Sequence, residues 1–185
     1  MRIFGECSRM MMDIVRSRVP VLAAVDGVAA AAGCQLVAIC DMAVATKRSS
    51  FSTPGANFGI FCSTPGIPLA RCVPRKAAAD MLLTGRPVSA ETALRTGLVS
   101  RLAEDEAELD KMVDEICADV ISKPSKVIEL GKAFFQAQLE MGLSQALEAG
   151  GNVMVDNLDY KDAQEGISAF KEKRKPKWSH TDERV

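Results

Sequence analysis

Residues 29–41, AAAAGCQLVAICD, decide the fold. Four alanines and a glycine let the backbone turn sharply, and the apolar run that follows predicts a helix over 33–40 with few polar faces. Just upstream, residues 19–28 read VPVLAAVDGV; residues 21–25 suit a short strand buried on both faces, turned by Asp26-Gly27 toward the corner. A strand leading through tiny residues into a buried helix leaves several amide N–H groups unpaired at one point, where the helix dipole also favours negative charge. Such a corner can hold an oxyanion, and it equally suits a close-packed turn with no chemistry. At the other end of the helix the dipole opposes Asp41, which is expected to accept hydrogen bonds from nearby backbone instead.

Composition narrows what the corner can serve. The chain has 185 residues, 48% hydrophobic and 25% charged, enough for one sizeable core. A net charge of −1 and 5% aromatic residues supply neither the basic field nor the stacking surface that a nucleic-acid partner needs. The longest apolar stretch, residues 19–40, is broken by Asp26, Gly27, Gly33 and Gln35, so no membrane span is expected. Cys7, Cys34, Cys40, Cys62, Cys72 and Cys117 stand singly with no CxxC pair, and His180 is the only histidine. That pattern predicts reduced, buried thiols and no zinc site.

Working outward, residues 3–18 carry Met11, Ile14 and Val15 on one face and predict a helix ended before Pro20. Residues 42–46 read as a second strand and 51–52 as a brief extended piece before Pro54-Gly55. The stretch ANFGIFCSTPG, 56–66, reads as an apolar loop that packs over something and is a candidate pocket wall. Helices are then expected over 67–72 and 75–84, the latter stopped by Gly85. Another is capped by Ser89 and stopped by Gly97, with a strand over 98–101. This rhythm is α/β. Helical spacing predicts further helices over 106–122, 127–139, 143–158 and 162–170; the Gly150-Gly151 pair in the third of these suits close approach by a neighbour. The end, KEKRKPKWSH, is basic and carries the single tryptophan, Trp178; it reads either as a solvated tail or as a phosphate or acidic-partner site.

Four strings in order resemble the crotonase (enoyl-CoA hydratase/isomerase) superfamily: PVLAAVDGVAAAAGCQLVAICDMAVA, FSTPGANFGIFCSTPG, LLTGRPVSAETALRTGLVSR and EGISAFKEKRKPKW, together spanning residues 20–178. The resemblance implies an α/β, crotonase-like spiral of ββα units with a C-terminal helical trimerisation region. On that reading residues 1–122 form a partial spiral core and 123–185 the helical region and basic tail, acting as one domain. It also implies an acyl-CoA thioester as ligand or substrate, no resident cofactor, assembly as a homotrimer or hexamer, and a part in mitochondrial fatty-acid metabolism. The family's second oxyanion donor and part of its pocket come from a preceding strand and loop. The resemblance thus implies an N-terminally shortened chain. Glu6 and Asp13 count against a transit peptide, which would leave a chain complete as given in the cytosol.

By position, the resemblance places the amide of Ala32 as one donor to the thioester oxygen, with alanine where the family usually has glycine. Ala30, Gly33, Gln35, Phe58 and Cys62 fall on the acyl pocket. Lys173, with Met154 where some members have an aromatic, falls on the CoA site offered by a neighbouring subunit. The two glutamates that add water across a 2-enoyl bond fall on Gln35 and Gly55. An amide is no base near neutral pH and glycine has no side chain, so hydration by that route is not expected. The other reading is a structural subunit that assembles with active relatives and binds no CoA. A serine hydrolase on a related spiral would need a base beside a serine, and the one imidazole stands in the tail.

Overall fold

The computed structural model describes residues 2–185, in two compact units, one ending at Ile116 and the other Cys117–Val185. The first unit opens with helix α1 (Arg2–Arg16). Strand β1 (Leu22–Val25) follows, then β2 (Val28–Ala30), helix α2 (Ala32–Ile39) and β3 (Met42–Thr46). β4 (Ser50–Ser52) leads into a 3-10 turn, Pro54–Phe58, and helices α3 (Ser63–Cys72) and α4 (Arg75–Thr84). β5 (Val88–Ser89), α5 (Ala90–Thr96), β6 (Arg101–Ala103) and the first part of α6 (Glu106–Ile121), up to Ile116, complete the series.

Two three-stranded sheets organise this unit. In one, β3 lies between β1 and β6, all parallel, with Ala23 opposite Ala43 and Ala45 opposite Leu102. Side chains alternate along β3. Ala43 and Ala45 join the larger core with Cys34, Val37, Phe51, Leu69 and Met81, while Val44 packs with Leu109 and Ile116 of α6. In the other sheet β4 pairs in parallel with β2 and antiparallel with β5, bringing Ala30 opposite Ser52. The two-sided burial expected of 21–25 fails at Ala24, which is exposed.

Capping follows the sequence closely. Ser89 accepts from the Thr92 amide at 3.3 Å, and Gly85 and Gly97 end their helices with φ of 64° and 85°. Asp41 accepts from the Val21 amide at 2.7 Å, fastening the end of α2 to the start of β1. α3 begins at Ser63, four residues before the expected start, because Pro65 sits in the first turn, where its missing N–H leaves no bond unmade. Pro68 lies buried inside the same helix. The strand expected over 98–101 is displaced to 101–103: residues 98–100 instead close the turn after α5, Leu98 and Val99 both donating to the Ala93 carbonyl.

The second unit contains α7 (Ser125–Gln138), α8 (Leu143–Leu158) and α9 (Lys161–Glu172). A methyl at Gly150 would meet the Phe134 ring at 3.3 Å, so the glycine lets α8 approach α7; Gly151 faces open space. The tail is not merely solvated. Trp178 packs on Gly166 and donates through Nε1 to the Ser122 carbonyl at 2.8 Å. Buried Asp162 accepts from the amides of Ser179 and His180 and from the Ser179 hydroxyl, at 2.7–2.9 Å.

Candidate functional site

The corner between β2 and α2 is strained. Ala31 has φ 51° and ψ −112°, a conformation costly for an L-residue with a Cβ, by about 1–3 kcal/mol. It is held there from both sides: its amide donates to the Ser52 carbonyl at 2.9 Å, and its carbonyl accepts the first bond of α2, from Gln35, at 3.0 Å. The amides of Ala32 and Gly33 precede that first bond and, among the described residues, donate to nothing. Ala32 is exposed, Ala30 and Gly33 are half-buried, and Gln35 is 7% exposed with the buried Cys34 beside it. Burial, with the Cys72 and Cys62 thiols near, pushes the Cys34 thiol up to about 12, so it stays protonated and inert.

Position 55 is closed. The Gly55 amide donates to the Cys62 Sγ at 3.2 Å and its carbonyl accepts from the Ile60 amide at 3.0 Å. A Cβ at Gly55 would stand 2.2 Å from the Ile60 carbonyl oxygen and 2.7 Å from the Cys62 Sγ. The space into which a side chain at 55 would grow is filled by backbone and thiol. Gly59, with φ 73°, makes the turn that folds the segment back. The expected packing of this loop is reversed on its outer side. Cys62 is buried, but Phe58 is 75% exposed and Ile60 and Phe61 are exposed as well. The short ring formed by residues 55–62 turns these side chains outward.

Thr53, which the sequence reading passed over as part of a Pro-Gly turn, is 0% exposed, and its Oγ1 has no hydrogen-bond partner. Nothing in the string STPG marks it; only the pairing of β4 with β2 sets it beside the corner.

In the second unit Lys173 is exposed and ends α9 in the left-handed conformation, φ 54°. Met154 is exposed on α8, and Phe170, 86% exposed, stands one turn before Lys173. Arg174 is committed within the tail, bonding Glu165 at 2.5 and 2.8 Å and Glu172 at 2.6 Å. The Arg174 bond, then the Lys177 amide, hold the Glu165 carboxyl down at about 2. His180, Ser125 and Asp162 meet, but not as a catalytic triad. The Ser125 hydroxyl donates to the His180 carbonyl, the imidazole Nδ1 accepts from the Ser125 amide, and Asp162 takes the His180 backbone N–H. Against the expectation of buried thiols, only Cys34 and Cys62 of the six cysteines are buried, while Cys72 and Cys117 are exposed at helix surfaces. Among the described residues no cluster of His, Cys, Asp and Glu is placed to hold a metal ion, and no helix is long and apolar enough to cross a membrane.

The chain is 54% identical over 178 residues to the human protein named enoyl-CoA hydratase domain-containing protein 3, mitochondrial, covering 96% of this chain and 58% of that one. The zebrafish (Danio rerio) protein of the same name is 50% identical over 182 residues, 98% of this chain and 63% of that one. The chain thus spans about three fifths of the length of these relatives. Its fold matches the crystal structure of human enoyl coenzyme A hydratase domain-containing protein 3 with a TM-score of 0.92 at 53% identity, over 95% of this chain and 69% of that one. It also matches an enoyl-CoA hydratase structure from Mycobacterium smegmatis, TM-score 0.93 at 46% identity, over 97% and 69%. The family model for enoyl-CoA hydratase/isomerase matches residues 4–181. With its crotonase fold, the chain belongs to the enoyl-CoA hydratase/isomerase family.

Proposed function

We propose that this chain binds acyl-CoA thioesters at the start of α2 and does not hydrate them by the two-carboxylate route. The amide of Ala32, unpaired at the N-terminus of a helix, suits a developing negative charge on a thioester oxygen. One observation carries the second half: position 55 holds a glycine whose side-chain space is already occupied, so neither the carboxylate nor room for one exists there. Gln35, at the other position, brings an amide that donates and accepts hydrogen bonds but takes no proton. Chemistry that leans on polarisation of the carbonyl more than on a pair of carboxylates, such as thioester hydrolysis, decarboxylation or isomerisation, fits the corner better than hydration.

The setting of this activity is the mitochondrion, as the relatives' names suggest, and an acyl-CoA thioester as ligand points to fatty-acid metabolism. Ala30, Gly33 and Gln35 line the acyl end, while Phe58, turned outward, and Cys62, packed on Gly55, serve it only from its rim and its floor. Lys173, with Met154, serves the CoA of a neighbouring copy in a homotrimer or hexamer. A titration with butyryl-CoA tests the binding, which Lys173→Glu weakens about tenfold. A crotonyl-CoA assay tests the rest: no hydration above background is expected, and hydration abolished by Gln35→Ala would overturn the reading. A chain that binds no acyl-CoA, with or without Lys173, is the structural subunit instead.

A further inference from the structure

Asp26 breaks the longest apolar stretch of the chain and stands outside the chemistry proposed for the corner. Its carboxylate reaches across to the turn between β3 and β4. Oδ1 accepts from the Thr46 hydroxyl at 2.8 Å and from Arg48 Nε at 2.6 Å, and Oδ2 accepts from Arg48 Nη2. The Arg48 bond, then that of Thr46, lowers the carboxyl below its ordinary value, so it stays charged near neutral pH. The backbone on either side is tied to the same turn. The Ser49 hydroxyl donates to the Val25 carbonyl at 3.0 Å and accepts from the Gly27 amide at 3.1 Å. The Gly27 carbonyl in turn accepts from the Ser50 amide at 3.0 Å. Arg48 is exposed, and its ion pair alone adds little, but Thr46 and Ser49 are buried and hold the link between β1 and β2 in one place.

What this tie controls is β2. A strand of three residues makes few ladder bonds, and of its side chains only Ala29 is buried, while Val28 is exposed and Ala30 half-buried. One buried methyl specifies register weakly, and a slip of one residue would turn it outward. The pairing that results, from Val28 with Ser50 to Ala30 with Ser52, delivers the Ala31 amide to the Ser52 carbonyl at 2.9 Å. Ala31 is strained there, and strain persists only where the surroundings over-determine it. The exposed, unpaired amide of Ala32 takes its direction from that residue.

Resting on the acyl-thioester reading above, we propose that Asp26 is a positioning residue: by locking the link between β1 and β2 to the β3–β4 turn, it fixes the register of β2 and so the aim of the Ala32 amide at the thioester oxygen. It touches no substrate. Its loss leaves the donor present but misdirected, and the carbonyl less polarised.

The test uses the full chain with sorboyl-CoA, a conjugated dienoyl thioester whose absorption moves to the red as its carbonyl oxygen is polarised. The wild type is expected to bind it with a red shift. Asp26→Ala cuts that shift to less than about half and weakens binding about tenfold, the worth of one hydrogen bond to a polarised oxygen. Ser49→Ala, which unties Val25 and Gly27 from the turn and leaves the carboxylate in place, loses the shift likewise. Asp26→Asn, which keeps an acceptor for Thr46 and for Arg48 Nε, restores most of it. Thermal melts show which variants fold, and the shift is read at saturating thioester, where lowered stability alone does not move it. A full shift in folded Asp26→Ala or Ser49→Ala overturns the role of Asp26 and leaves a structural ion pair. A shift missing from Asp26→Asn does so too, since the effect then follows the charge and not the tie. If the wild type fails to bind sorboyl-CoA, or binds it with no red shift, the acyl-thioester reading falls and this inference with it.

Discussion

At the scale of single residues, Ala31 and Gly55 show opposite uses of a side chain's absence. Ala31 carries a methyl where the backbone wants none: with φ 51° it is bent into a glycine conformation. Ala31→Gly should therefore stabilise the protein by about 1 kcal/mol, after subtracting the extra freedom glycine gives the unfolded chain. A thermal melt checks it; the expected rise is about 2–4 °C. Gly55 is the reverse, with ordinary φ but no space. Gly55→Ala should cost about 1–3 kcal/mol, the usual toll of overpacking, because the nearer of its two obstacles is a backbone carbonyl that cannot rotate away. Chemical denaturation measures this, with the midpoint falling and the slope unchanged.

At the scale of elements, caps and periodicity were legible because each is local. Ser89, Gly85 and Gly97 punctuate their helices as the residues demand, and 42–46 forms β3 to the residue. What was not legible depends on pairing. β2 is three residues long and exists because β4 lies beside it, and β6 shifts to 101–103 because the Ala93 carbonyl takes the residues before it. The corner at 29–41 was readable as a strand-to-helix turn with free amides. The orphaned hydroxyl of Thr53 was not, since only the fold decides what surrounds it.

The tail is the element most open to a pH test. Desolvation raises the Asp162 carboxyl, but the Ser179 amide and hydroxyl and the His180 amide outweigh it, and the net direction is down. Glu165, bonded by Arg174, is also lowered, to about 2. A carboxylate whose folded value lies below its unfolded one lends stability that is complete above the unfolded value and disappears as pH falls through the folded one. The tail should therefore hold at pH 5 and release between about pH 4.5 and pH 2. Trp178, packed on Gly166, reports the event: its emission should shift to the red across that window, and Glu165→Gln should remove part of the transition.

At the scale of the whole molecule, the second unit carries more apolar surface than a lone chain keeps comfortably. Between α7 and α8 runs a groove of about 720 Å³, lined by Phe134, Phe135, Leu143, Leu147 and Met154 among others, and most of these are exposed. A face of this kind suits an interface, and in the proposed assembly another copy covers it. Leu147→Glu should shift the population toward monomer at micromolar concentration, read by sedimentation, while leaving the melt of the first unit in place.

The closed space at Gly55 also bears on how such a sequence changes over time. With the Ile60 carbonyl and the Cys62 thiol settled against a bare Cα, any side chain introduced at position 55 by a single substitution meets the same two neighbours and carries the same overpacking cost. An unstrained side chain there would need the turn through Gly59 to be rebuilt first, and until then that rebuilding gains nothing. The glycine works as a ratchet: changes around it accumulate on a turn that has closed over it, and a side chain at that position becomes harder to introduce with each one.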